Sequence, residues 1–90
     1  MAEQLVGKIT HYFSRLGVAG IKLSEPLGKG ERIHIFGHTT DMEQKVDSME
    51  INHEKVEIAR PGDNVAIRVN EKVRENDEVY VVLEEELTAA

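Results

Sequence analysis

Four histidines, seventeen carboxylates and three serines are the side chains of this 90-residue chain with the most scope for chemistry, and their spacing restricts it. His34 and His38 are four apart, which on a helix would put both on one face for a metal ion. In an extended strand, at about 3.3 Å per residue, they stand about 13 Å apart and cannot share one. His11 and His53 have no histidine neighbour. Ser14, Ser24 and Ser48 lie in no Gly-x-Ser-x-Gly elbow and suggest no Ser–His–Asp arrangement. Gly28-Lys29-Gly30 has the look of a phosphate loop, but a P-loop needs Gly-Lys-Ser/Thr opening a helix, and Gly30 is followed by Glu31 and a strand pattern. Carboxylate pairs such as Asp47/Glu50 and Glu75/Asp77 are what seventeen acids in a short chain produce, with no apolar flank to raise a pKa. The chain has no cysteine, which excludes a disulfide framework, a thiolate metal site and a Cys nucleophile. These patterns imply a non-catalytic chain with no metal, no cofactor and no nucleotide.

Charge is unevenly spread. The net charge is −6, yet residues 1–40 hold five basic groups against three acidic ones, and residues 41–90 hold six against fourteen. An acidic chain argues against coating nucleic acid through bulk charge but leaves room for a local basic face in the first forty residues. Aromatic rings are few: Tyr12, Phe13, Phe36 and Tyr80. Strand alternation lets only one of Tyr12 and Phe13 point inward, so one ring is left beside Arg15 either to contact a partner or to cap an open end of the core. No apolar run approaches the roughly 20 residues needed to span a bilayer. Met1-Ala2-Glu3-Gln4 lacks the positive and apolar regions of a signal peptide. The expectation is a cytoplasmic protein without membrane contact.

The elements that must position these groups are strands. Val65, Ile67 and Val69 alternate with Ala66, Arg68 and Asn70, and Ile33 and Ile35 alternate with His34 and Phe36. Leu5–Ile9, Val18–Leu23, Lys45–Ile51, Val56–Ala59 and Glu78–Leu83 complete a set of about seven. Tight connections fall at Glu25–Glu31, at Asn52–Lys55 and at Arg60-Pro61-Gly62-Asp63-Asn64, where Pro then Gly suits the centre of a type II turn. Seven short strands at these intervals predict an all-β fold, a small closed antiparallel β-barrel of six to seven strands. Its single domain would run over residues 5–83, with a flexible N-terminus at 1–4 and an acidic flexible tail at 84–90.

Three segments, in order, carry a resemblance. Leu27-Gly28-Lys29-Gly30-Glu31-Arg32-Ile33-His34-Ile35-Phe36-Gly37, Lys45-Val46-Asp47-Ser48-Met49 and Ala59-Arg60-Pro61-Gly62-Asp63-Asn64-Val65-Ala66-Ile67 resemble the β-barrel second domain of translational GTPases typified by elongation factor Tu. Val6–Phe13, Gly17-Val18-Ala19, Gly37–Asp41 and Val73–Tyr80 are closer to two groups. One is the small stand-alone elongation factor-like proteins. The other is the C-terminal barrel of the collagenase-like peptidase family, several of whose members act in RNA hydroxylation. The resemblance implies a translation-protein barrel in which Gly7, Gly30, Gly37, Pro61, Gly62 and Asp63 match motif positions and serve turn geometry. With the basic N-terminal half, it implies a translation-factor-like module making weak contacts to tRNA or ribosomal RNA through Lys8, Tyr12, Arg15, Lys22, Lys29 and Arg32. The alternative is an adaptor that docks on a protein partner, a separately encoded RNA-modifying or translation enzyme.

Overall fold

Alternating apolar residues build the core of the computed structural model, which describes residues 2–83. Ten strands follow in chain order: β1 (Ala2–Phe13), β2 (Val18–Leu23), β3 (Leu27–Gly28), β4 (Arg32–Phe36), β5 (Asp41–Lys45), β6 (Met49–Ile51), β7 (Glu54–Val56), β8 (Ile58–Ala59), β9 (Asn64–Arg68) and β10 (Glu78–Leu83). Eight form one antiparallel sheet in the order β5-β4-β10-β1-β2-β9-β6-β7, and β3 and β8 pair separately. The sheet is all-β but is not closed by strand pairing: β5 and β7 are its two edges. The expected closed barrel is corrected to a curled sheet around one core, with Ile9, Ile21, Ile33, Ile35, Ile67 and Val79 almost fully buried. Among the described residues, no helix is long and apolar enough to cross a membrane.

The central strand is the longest and the least regular. β1 pairs with β10 through Ala2–Lys8 and with β2 through Gly7–Phe13, and its register shifts between Leu5 and Gly7 and again between Ile9 and His11. A bulge adds one residue to one strand and reverses which side chains face inward beyond it. Glu3 and Leu5 are therefore exposed, whereas Gly7 and Ile9, of the same parity, are buried. Gly7 is not in a turn. A Cβ there would lie 2.5 Å from the Lys22 carbonyl oxygen and 2.9 Å from the Ile21 methyl, so the close approach of β1 and β2 requires glycine. Residues 2–4, expected as a loose end, are strand residues opposite Val81–Leu83. The expected tail at 84–90 lies outside the described residues.

Other differences have local causes. Lys45–Ile51 is not one strand: β5 ends at Lys45, and Val46–Ser48 turn the chain before β6. The Asp41–Lys45 strand has only Met42 as its apolar signal, with Gln44 as its second buried residue. Gln44 bridges the sheet. Its amide nitrogen donates to the Arg68 carbonyl at 2.8 Å, and its amide oxygen accepts from the Asn70 N–H at 2.8 Å. Edge strand β5 is thus tied to the end of β9 by one side chain. Turn glycines differ in role. Gly62 (φ +91°) follows Pro61, and the Asp63 N–H donates to the Arg60 carbonyl while the Asp63 carboxylate accepts from the Arg60 N–H. Gly30 (φ +94°) also needs the left-handed region. Gly37 serves packing rather than φ, because a Cβ there would overlap the buried Asp77 carboxylate.

Two outcomes are expected from urea unfolding. Gln44→Leu leaves the Arg68 carbonyl and Asn70 N–H without this partner and should lower stability by about 1–3 kcal/mol. Gly7→Ala forces β1 and β2 apart and should cost more than Gly62→Ala, whose Cβ would meet nothing within 4 Å and which suffers only backbone strain. The reverse order would show that β1 and β2 can separate cheaply.

Candidate functional site

Strand pairing gathers chemistry on the outer face of β5-β4-β10-β1-β2. Tyr80 lies opposite both Leu5 and His34, and His34 lies opposite Glu43. The adjacent row runs Lys22, Lys8, Glu78, Phe36, Asp41. His34 is at the centre. Its side chain is only 17% exposed, and its ring meets Phe36 edge-on at 5.7 Å and lies 6.3 Å from Tyr80. The Nδ1 atom faces both Glu3 carboxylate oxygens, at 3.0 and 2.9 Å, and Nε2 faces Asp41 Oδ1 at 2.6 Å. Glu43 completes a group with Glu3 and His34 in which one donor atom from each lies within 4.8 Å of the others. Arg32 Nη1 approaches Glu43 at 3.9 Å. The Tyr80 hydroxyl donates to Glu78 Oε1 at 2.5 Å, and this bond, with burial and the nearby acids, raises the phenol above its ordinary value.

Carboxylates only accept hydrogen bonds when ionised, so two of them on the two ring nitrogens favour an imidazolium that donates from both. The His34 pKa is raised accordingly, first by the Glu3 hydrogen bond and also by Asp41, against an opposing push from desolvation. Charged and titratable groups facing it are Glu3 from β1, Asp41 and Glu43 from β5, Tyr80 from β10 and Arg32 on its own strand.

Beside this cluster a groove of about 620 Å³ runs over β1, bounded by Leu5, Lys8, Thr10, Lys22, Ser24 and Asn76. Lys8 and Lys22 stand directly opposite one another and make no ion pair among the described residues, an arrangement that costs a little free energy. Phe36 is 47% exposed and Leu5 41%. The six residues expected to touch RNA are not assembled on one patch. Lys8 and Lys22 are together, Arg15 lies in the β1–β2 hairpin loop, and Lys29 lies in the turn between β3 and β4. Arg32 lies toward the opposite, Leu83 end of the sheet. Tyr12 packs against the core, and the exposed ring is Phe13, in edge contact with His11 at 4.3 Å. Sequence reasoning tested His34 only as a metal pair with His38 and missed Glu3, Asp41 and Glu43. The signal available was their outward parity, but the neighbours of β4 were not.

A curled antiparallel sheet with a polar cluster on its outer face defines a small all-β domain. Comparison with known proteins places that fold. The C-terminal domain of a protein from Geobacillus thermoleovorans described as a U32 peptidase superposes with a TM-score of 0.83 at 16% identity, covering 89% of this chain and 93% of that one. No family model matches the chain. In sequence, the chain is 41% identical over 80 residues to a Methanocaldococcus jannaschii protein named as an uncharacterized protease, covering 88% of this chain and 20% of that protein. It is 44% identical over 77 residues to a Porphyromonas gingivalis collagenase, covering 83% and 21%. The chain thus spans about a fifth of the length of the curated relatives it matches.

These matches correct the expected function. A translation-factor-like module contacting tRNA or ribosomal RNA is overturned, as is the alternative adaptor for an RNA-modifying or translation enzyme, because the matched relatives are named for proteolysis and the matched structure is the C-terminal domain of a protein described as a U32 peptidase. The peptidase half of the resemblance stands; the elongation factor Tu half is not shown.

The sign of the His34 effect is fixed by its raised pKa. The native state holds its proton more tightly than the unfolded chain, so stability falls as pH rises past the ordinary value of 6.5 and through the raised one. Urea midpoints between pH 5.5 and 8.5 should drop over that window in the parent and flatten in His34→Gln. An unchanged slope in the variant would assign the pH dependence to another group.

Proposed function

We propose that this chain is an accessory β-domain of a U32-type peptidase, one that binds a catalytic part rather than cutting peptide bonds itself. The observation that carries the reading is the asymmetry of coverage: the similarity takes in 83–88% of this chain but only 20–21% of its relatives. Most of each relative, with room for the machinery of bond cleavage, therefore lies outside the part shared with this chain. The outer face suits such a role. Leu5 and Phe36 offer apolar contact, and Lys8 and Lys22 offer cations without ion-pair partners among the described residues. An enzyme made of this chain alone is the weaker reading, because neither His11 nor His34 is paired with a nucleophile: their partners are carboxylates.

The test takes the purified chain and the Methanocaldococcus jannaschii relative lacking its matched 80 residues. The chain alone is expected to leave denatured collagen intact. It should also bind the truncated relative in a surface-immobilised assay, with binding weakened at least tenfold by the Leu5→Glu/Phe36→Glu pair. Collagen cleavage by the isolated chain, or no binding to the truncated relative, would overturn the proposal.

A further inference from the structure

We infer that Glu3, His34 and Glu43 form a divalent transition-metal site on the outer face of the sheet, taking zinc or a similar ion, with Asp41 as the residue that orients the histidine. The inference is independent of the accessory-domain reading. Three strands contribute: Glu3 from β1, His34 from β4 and Glu43 from β5, with one donor atom of each already within 4.8 Å of the others. Imidazole nitrogen and carboxylate oxygen are ligands that zinc accepts.

Two features distinguish this group from a chance cluster of acids. First, Nε2 of His34 is held by Asp41 Oδ1 at 2.6 Å, outside the three-donor group. A metal-ligating histidine almost always donates its second ring N–H to a carboxylate, carbonyl or water, which fixes the tautomer and makes the other nitrogen a better ligand. Here that partner is in place and leaves Nδ1 toward Glu3. Second, the Glu3 oxygens stand 2.9 and 3.0 Å from Nδ1. Neighbouring ligands of a tetrahedral zinc with bonds of about 2.1 Å stand about 3.4 Å apart, so Glu3 and His34 need separate by only about 0.5 Å to admit the ion. Arg32, 3.9 Å from Glu43, is the cation such an ion would work against. The ion would take the place of the Nδ1 proton between His34 and Glu3, so its affinity must rise with pH. His11 is the contrasting case, with a single carboxylate partner, Glu75 at 3.4 Å.

The test is isothermal titration of the chelator-treated 90-residue chain with zinc chloride at pH 6 and pH 8, with cobalt(II) absorption as a spectroscopic check. One equivalent per chain is expected, tighter at pH 8. His34→Gln and Glu43→Gln should remove it, and Asp41→Asn should weaken it 10–100-fold, the usual effect of losing an outer partner. His11→Gln and His53→Gln should leave it unchanged. Circular dichroism of each variant separates loss of the site from loss of fold. Absence of stoichiometric binding at pH 8, or binding retained by folded His34→Gln, would overturn the assignment.

Discussion

The missing side chain at Gly7 is the constraint on which core and outer face both depend. β1 runs through the middle of the sheet and must satisfy β10 along its first half and β2 along its second. The bulge between Leu5 and Gly7 reconciles the two by reversing the strand's facing at mid-length. Without it, a strand that puts Ile9 in the core would also point Glu3 inward, away from His34. Glycine is needed because the bulge brings β1 within contact distance of the β2 backbone. One backbone irregularity therefore sets the apolar centre and the carboxylate that faces the histidine.

The sheet's second problem is its ends. Eight strands curl around the core without their edges pairing, and Gln44 reaches from edge strand β5 to the end of β9, where no ladder stands. A glutamine can do this because it carries a donor and an acceptor on one planar group, matching one carbonyl and one N–H of the Arg68–Asn70 backbone. The free edge itself alternates exposed Asp41, Glu43 and Lys45 with buried Met42 and Gln44. Such charges discourage strand addition by another chain.

Much of the architecture was legible in the residues. The alternation of Val65-Ile67-Val69 and Ile33-Ile35, and the Pro61-Gly62 pair, identify strands and a turn because each depends on near neighbours in sequence. β5 was hidden because Met42 and Gln44 are weak signals and its burial comes from a contact 24 residues away. Barrel closure was misread for a related reason: strand count does not say whether the first and last strands of the sheet meet. The outer cluster was invisible since it spans β1, β4 and β5, and only the order β5-β4-β10-β1 brings Glu3 within reach of His34. Basic residues in the first forty positions suggested a patch, yet charge summed along a chain says nothing of which strand ends they occupy.

Ala2 and Leu83 are directly opposed partners at one end of the β1–β10 ladder, so their Cα atoms lie about 5 Å apart. Any chain joined at both ends would enter and leave through the same doorway. A polypeptide could carry the unit as a side bead on two adjacent strings, with its path through the host scarcely diverted.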